Sequence, residues 1–151
     1  IGEQLMTRGH EYGSTTGRAR RCGWLDAVLL RYAVRVNGLT SLAITKMDVL
    51  DGFKELKICT GYRYQGKLYR EMPSDLDVLE NGRPVYERWE GWTADTTGIT
   101  SYKALPTAAK RYLARVEELA SCPIDMISTG SKREETIVVR NPLLRSKKPA
   151  K

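Results

Sequence analysis

The stretch "LPTAAKRYLARVEELASCPIDMIS", residues 105–128, changes its repeat within a few positions. The first part places Ala109, Tyr112, Leu113, Val116 and Leu119 on one helical stripe, with Pro106 in the first turn, where a missing N–H costs little. The second part, "PIDMIS", is short and apolar in the manner of a buried strand. A polar turn, "TGSKRE", separates it from a further strand in "ETIVVR", residues 135–140. A helix with one apolar stripe that runs straight into a strand has to bury that stripe, and the sheet is the surface at hand.

The same alternation occurs earlier. "WLDAVLLRYAVRV", residues 24–36, puts Leu25, Val28, Leu29, Tyr32, Ala33 and Val36 on one helical face, and Asn37-Gly38 supplies the stop. "SLAIT", residues 41–45, reads as a short buried strand ending at Lys46-Met47-Asp48. Residues 55–64 and 67–72 read as a hairpin turning at Gln65-Gly66, with one face in water. Residues 73–100 are rich in Pro, Gly and Asp and predict loops, apart from an extended piece at "PVYERW", residues 84–89. The order predicts an α/β chain: part of an open, mainly parallel sheet flanked by helices, with an antiparallel hairpin and ligands at the carboxyl edge of the strands.

Composition narrows the function classes. With 151 residues, 41% hydrophobic and 28% charged, the chain suits one soluble core and need not be split. No apolar run approaches the length of a membrane span. Cys22, Cys59 and Cys122 are odd in number and far apart, which suits reduced thiols in a cytoplasm. The formal charge of +7 favours anionic partners, either nucleic acid or small phosphorylated and carboxylated ligands. Part of the excess lies in the basic tail, residues 145–151, which predicts a disordered end to a domain spanning residues 1–144. His10 is the only histidine, so a His-based metal site and a Ser-His-Asp triad are both excluded by inventory. Trp24, Trp89 and Trp92 do not interleave with basic residues as in a nucleic-acid module, and packing is the reading for most aromatics.

Three stretches are candidates for chemistry. In "GSTTGRARR" a Gly/Thr-rich turn offers amides and hydroxyls, and Arg18 and Arg20, two apart, can reach one ligand from an extended loop. The competing reading is a solvated charged patch, but arginines just before a helix are unfavourable without an anion to offset the dipole. In "TKMDVLD" a Lys-x-Asp at the end of a buried strand is one way to hold guanine. The carboxylate accepts from N1–H and the 2-amino group while the lysine stem lies on the purine face, although for the tripeptide by itself an aspartate capping a turn is the commoner explanation. In "ISTGSKRE" the Ser-Thr-Gly after a strand presents hydroxyls and amides, or is only a turn.

Taken in order, "GHEYGSTTGRARRCGWLD", "TKMDVLDGFKELKIC", "PVYERWEGW", "LPTAAKRYLARVEEL" and "PIDMISTG" resemble the carboxyl-terminal part of the adenylosuccinate synthetases, over residues 2–142. The resemblance implies a P-loop-NTPase-like fold whose amino-terminal part is absent here. It also implies a cytoplasmic, homodimeric ligase of AMP biosynthesis that joins IMP to L-aspartate with GTP and Mg2+. It assigns Ser14, Thr15, Thr16, Gly17, Arg18, Ala19 and Arg20 to aspartate, Arg18 also to IMP, and Arg20 also to GTP. Lys46, Met47 and Asp48 correspond to the guanine segment, and Ser128, Thr129 and Gly130 to a further GTP contact. Ser131-Lys132 departs from the proline usual after "ISTG". The family's Gly-rich phosphate loop, catalytic aspartate and catalytic histidine have no counterpart, and His10 lies in the wrong motif to replace the last. The expectation is therefore that this chain has no catalytic residue of its own, leaves most Mg2+ contacts to the absent part, and is inactive alone. The alternative from another class is a small basic RNA-binding domain without catalysis.

Overall fold

The structure, a computed structural model, describes residues 1–141; the tail at 145–151 lies outside them. The long helix of the opening stretch is α4 (Thr107–Ala120), capped at its start by Pro106 and ended by Ser121 in the left-handed region at φ 52°. Ala109, Tyr112, Leu113 and Val116 are buried as the stripe requires, joined by Ala120, while Leu119 is only partly covered. The chain before it runs α1 (Gly2–Arg8), β1 (Leu25–Asp26), α2 (Ala27–Asn37), β2 (Leu42–Ile44), β3 (Glu55–Tyr64), β4 (Lys67–Tyr69), α3 (Leu76–Asn81) and β5 (Arg83–Glu90). After α4 come β6 (Ile124–Ser128) and β7 (Thr136–Val138). Single 3-10 turns lie at Met47–Leu50 and Tyr102–Ala104.

The α/β class is as expected, and the strands form two mixed sheets. In one, β3 is the centre: β1 pairs with it in parallel, and β4 and β5 pair antiparallel to it. In the other, β6 lies between β2, parallel, and β7, antiparallel. The hairpin turns where predicted, because Gln65 at φ 46° and Gly66 at φ 78° give the two left-handed residues that match strand twist. The extended piece at 84–89 is β5, which runs along β3 from Glu55↔Glu90 to Arg63↔Arg83. Helices α1 and α3 occupy stretches in which no helix was expected.

Helix α2 corrects the sequence reading in two ways. It begins at Ala27, because Leu25 and Asp26 extend alongside Ile58 and Cys59 in β1. Asp26 is then its cap: Oδ1 accepts from the amides of Val28 (3.0 Å) and Leu29 (3.1 Å), while Oδ2 accepts from the Tyr62 hydroxyl. The face turned to the core carries Ala27, Leu30 and Val34, and Leu29, Tyr32 and Val36 are 45%, 39% and 57% exposed. Both stripes fit a 3.6-residue period, so periodicity alone could not choose between them. Gly38 ends the helix at φ 59°, as its position after Asn37 predicted.

One apolar cluster serves both sheets: Leu56 and Ile58 of β3, Ile124 and Ile127 of β6, Leu113 and Val116 of α4, and Met47 between β2 and β3. Helix α4 is also tied to β5 by Arg115, whose Nε and Nη2 reach the Glu87 carboxylate at 2.9 and 2.5 Å. That hydrogen-bonded pair holds the Glu87 carboxyl below its ordinary value of 4.5, against the opposing effect of burial. A depressed carboxyl contributes stability that is full above the unfolded value and is lost as pH falls through the folded one. Glu87→Gln is therefore expected to lower unfolding free energy by about 1 kcal/mol at pH 7. Denaturant titrations at neutral pH and below 4.5 check this, and the gap between the two proteins should close in the acid series.

Candidate functional site

The arginine-bearing loop begins where α1 stops. The Gly9 amide caps α1 by donating to the Leu5 carbonyl (2.9 Å), and the chain then folds into a small hairpin, Tyr12 bridging to Ala19. The Arg20 amide donates to the Glu11 carbonyl at 2.9 Å, the Gly13 amide to the Arg18 carbonyl at 2.8 Å, and the Gly17 amide to the Gly13 carbonyl at 2.8 Å. Gly17 sits at φ 65°, which makes the tight tip possible without steric cost. Thr16 Oγ1 accepts from the Arg18 amide at 3.3 Å. Ser14, Thr15, Thr16, Arg18, Ala19 and Arg20 are exposed, and an open depression of about 790 Å³ runs along Gly13, Thr16 and residues 18–21. Backbone bonds thus hold as a hairpin a stretch that the sequence presented as flexible and extended.

The second candidate segment leaves the end of β2. Lys46 is left-handed (φ 59°) and starts the turn Met47–Leu50, whose first residue is 1% exposed. Burying Met47 fixes the backbone on either side, so the flanking Lys46 and Asp48 are placed by the core. Asp48 keeps one buried carboxylate oxygen, Oδ1, without a hydrogen-bond partner among the described residues. Burial first, then the nearby charges of Asp51 and Glu135, push its carboxyl above the ordinary 3.8, while its own backbone amide and, more weakly, Lys46 work against them.

Glu11, which the sequence reading passed over, joins these two segments. Its Oε2 accepts from Arg20 Nη1 at 2.9 Å and its Oε1 from Lys46 Nζ, which also donates to the Gly9 carbonyl at 2.5 Å. The two hydrogen bonds, Lys46 first, hold the Glu11 carboxyl below 4.5. A signal was present: Glu11 is the one acid between His10 and Trp24. Beside it a cavity of about 370 Å³ is lined by Glu11, Lys46, Trp24, Ile44, Leu113 and Val116 among others.

The third segment leaves the neighbouring strand at the same end of the sheet, since Ile44 of β2 pairs with Ile127 of β6 in parallel. Thr129 is fully buried, and its hydroxyl is engaged within the protein, its one hydrogen shared between the Ile99 carbonyl at 2.8 Å and the Glu135 carbonyl at 3.1 Å. Ser128 Oγ donates to the Gly130 carbonyl at 2.7 Å. The Ser131-Lys132 turn is closed by Glu135, whose Oε2 accepts from the Lys132 amide at 2.9 Å.

Asp51, at the end of "TKMDVLD", was also unassigned. Its carboxylate accepts from Trp92 Nε1 (2.5 Å), the Thr96 amide (2.6 Å) and Thr96 Oγ1 (2.9 Å), and its carbonyl accepts from Arg8 Nη1 (2.6 Å). Among the described residues no group of three or more His, Cys, Asp or Glu side chains comes together to hold a metal ion.

Polar loops gathered at one edge of mixed sheets, with helices packed on those sheets, define an α/β protein. The comparisons narrow the class. The adenylosuccinate synthetase family model matches residues 1–137. The adenylosuccinate synthetases of Geotalea uraniireducens (strain Rf4) and Pelobacter propionicus (strain DSM 2379 / NBRC 103807 / OttBd1) are 56% and 54% identical over 141 and 143 residues. These alignments cover 93% and 95% of this chain and 33% of each relative. A structure of fully ligated adenylosuccinate synthetase from Plasmodium falciparum superposes with a TM-score of 0.87 at 36% identity, over 92% of this chain and 34% of that one. The chain belongs to the adenylosuccinate synthetase family and spans about a third of the length of the relatives it matches. The RNA-binding alternative finds no support in these matches.

Asp51→Ala is expected to lower stability by about 2–3 kcal/mol, because it removes a charged acceptor from Trp92 and Thr96, and Thr96 is fully buried. Hydrogen exchange checks it locally: the Thr96 amide should lose protection beyond the change in global stability.

Proposed function

We propose that this chain is the carboxyl-terminal portion of an adenylosuccinate synthetase, supplying the aspartate loop, an IMP contact and the guanine-reading turn. The observation that carries this is the partnerless buried oxygen of Asp48, at a turn shared with Lys46 and joined through Glu11 to the arginine loop. A carboxylate kept partly from water and short of a donor is costly alone, and the N1–H and 2-amino group of guanine are the donors that would relieve it. In the family's reaction the γ-phosphoryl group of GTP passes to the 6-oxygen of IMP. The aspartate amine then displaces that phosphate, giving adenylosuccinate, GDP and inorganic phosphate.

In this reading Arg18 and Arg20, on a hairpin pinned by backbone bonds, meet the anionic groups of IMP, aspartate and GTP. Such positioning matters because phosphoryl transfer depends on geometry and charge. The Glu11 ion pair occupies one Arg20 nitrogen, which leaves the other two for a carboxylate fork. Ser14, Thr15, Thr16, Gly17 and Ala19 form the tip and flank that receive aspartate. Ser128 and Gly130 border the guanine nucleotide, and Thr129, its hydroxyl engaged at Ile99 and Glu135, acts as the strut beneath them. The family uses Mg2+, whose charge offsets that of the phosphates. The described residues do not fit a resident ion. The proton-transferring groups, most contacts to that ion, the homodimer contact and the cytoplasmic setting belong to the whole enzyme in this proposal, and the chain alone makes no adenylosuccinate.

The base-reading role gives a reversal of preference that loss of folding does not. Asn at position 48 would present a donor to the guanine amine, whereas xanthine has a carbonyl there. In the full-length enzyme, Asp48→Asn is expected to lower kcat/KM with GTP by on the order of 100-fold, about 3 kcal/mol, and to raise it with XTP. Steady-state assays with both nucleotides check this, with the 151-residue chain as a parallel sample expected to give no product. Equal losses with GTP and XTP would make Asp48 a structural cap.

A further inference from the structure

Glu11 holds two cations to which the proposed function gives different duties, Lys46 at GTP and Arg20 at aspartate as well as GTP. One carboxylate oxygen engages Lys46, at the guanine-reading turn, and the other engages Arg20, on the aspartate loop. Its own side chain is 22% exposed, against 46% for Lys46 and 61% for Arg20, so the acid is the shielded centre of the trio.

The backbone fixes Glu11 independently of the cations. Its amide donates to the Met6 carbonyl at the end of α1, and its carbonyl accepts from the Arg20 amide, both at 2.9 Å. Gly9 makes room for it: a Cβ there would lie 2.9 Å from the Leu5 carbonyl oxygen and 3.3 Å from Glu11 Cγ. Lys46, by contrast, is left-handed at the end of an edge strand and has no helix to direct its side chain. Its direction is set by what its ammonium meets, namely the Gly9 carbonyl and Glu11. Removing the carboxylate would leave two like charges facing each other across the gap, and they would separate.

Resting on the functional reading above, we infer that Glu11 is a positioning residue that sets Lys46 for GTP and Arg20 for aspartate through one carboxylate. It touches no substrate. Its loss is felt in the binding of two chemically unrelated substrates at once, and in IMP little, because the Arg18 guanidinium is no partner of Glu11.

The test is steady-state kinetics of the full-length synthetase containing this segment, comparing wild type, Glu11→Ala and Glu11→Gln. For Glu11→Ala the KM for GTP and the KM for aspartate should each rise about tenfold, with kcat within about threefold and the KM for IMP within about twofold. Glu11→Gln, which keeps an acceptor and loses the charge, should fall between the two. In a Lys46→Met background Glu11→Ala should raise the KM for GTP less than it does alone, since only the Arg20 route remains, yet should raise that for aspartate as much as before. Unchanged KM values in Glu11→Ala, or an equal rise for all three substrates with a lowered melting temperature, would overturn the inference and leave the functional reading intact. A wild-type protein that forms no adenylosuccinate from IMP, aspartate and GTP would overturn both.

Discussion

The structure depends on one apolar seam shared by two sheets that do not hydrogen-bond to each other. Leu113 and Val116 of α4 join Ile58 of β3 and Ile127 of β6 in a single buried cluster. The sheets share that cluster, and the helix between them in sequence contributes its stripe to it. Met47 enters the same cluster, and through it the seam reaches the candidate site: the residue between Lys46 and Asp48 is anchored in the core. Packing energy thereby fixes the backbone from which two polar side chains leave, and the Lys46 ammonium is then directed by Gly9 and Glu11.

Charge completes what packing begins. The loop of residues 9–21 contributes little to the apolar cluster, yet it is fixed by its backbone bonds and by Glu11. The loop of residues 92–98 is held in the same manner by Asp51. Each acid does for a loop what a hydrophobic stripe does for a helix, at far smaller buried area and with stricter geometry. Both lie within the sequence segments that carried the family resemblance.

The elements with repeated signals were legible in the sequence: α4 from its stripe and Pro106, the β3–β4 hairpin from Gln65-Gly66, and the end of α2 from Gly38. The facing of α2 was not, because "LLRYAVRV" is apolar on two sides and only tertiary contact decides which is buried. Nor was its start, since Asp26 serves both as the last residue of a short parallel strand and as a cap. The site was legible as three segments but not as one arrangement. Glu11 and Lys46 are distant in sequence, and no local pattern announces an ion pair over that span. The buried hydroxyl of Thr129 likewise looked like a ligand group until its carbonyl partners were seen.

The three cysteines, in the sequence only a hint about compartment, are chemically unequal in the fold. Cys59 and Cys122 are buried, and burial pushes the Cys59 thiol up, so the thiolate that alkylating reagents need is scarce there. Cys22 is half-buried, follows the arginine hairpin and lines the same cavity as Glu11 and Lys46. A thiol-reactive fluorophore or spin label therefore has one accessible attachment point of the three. That point lies where the loop meets the body of the protein, so loop movement can be followed spectroscopically without introducing a new residue.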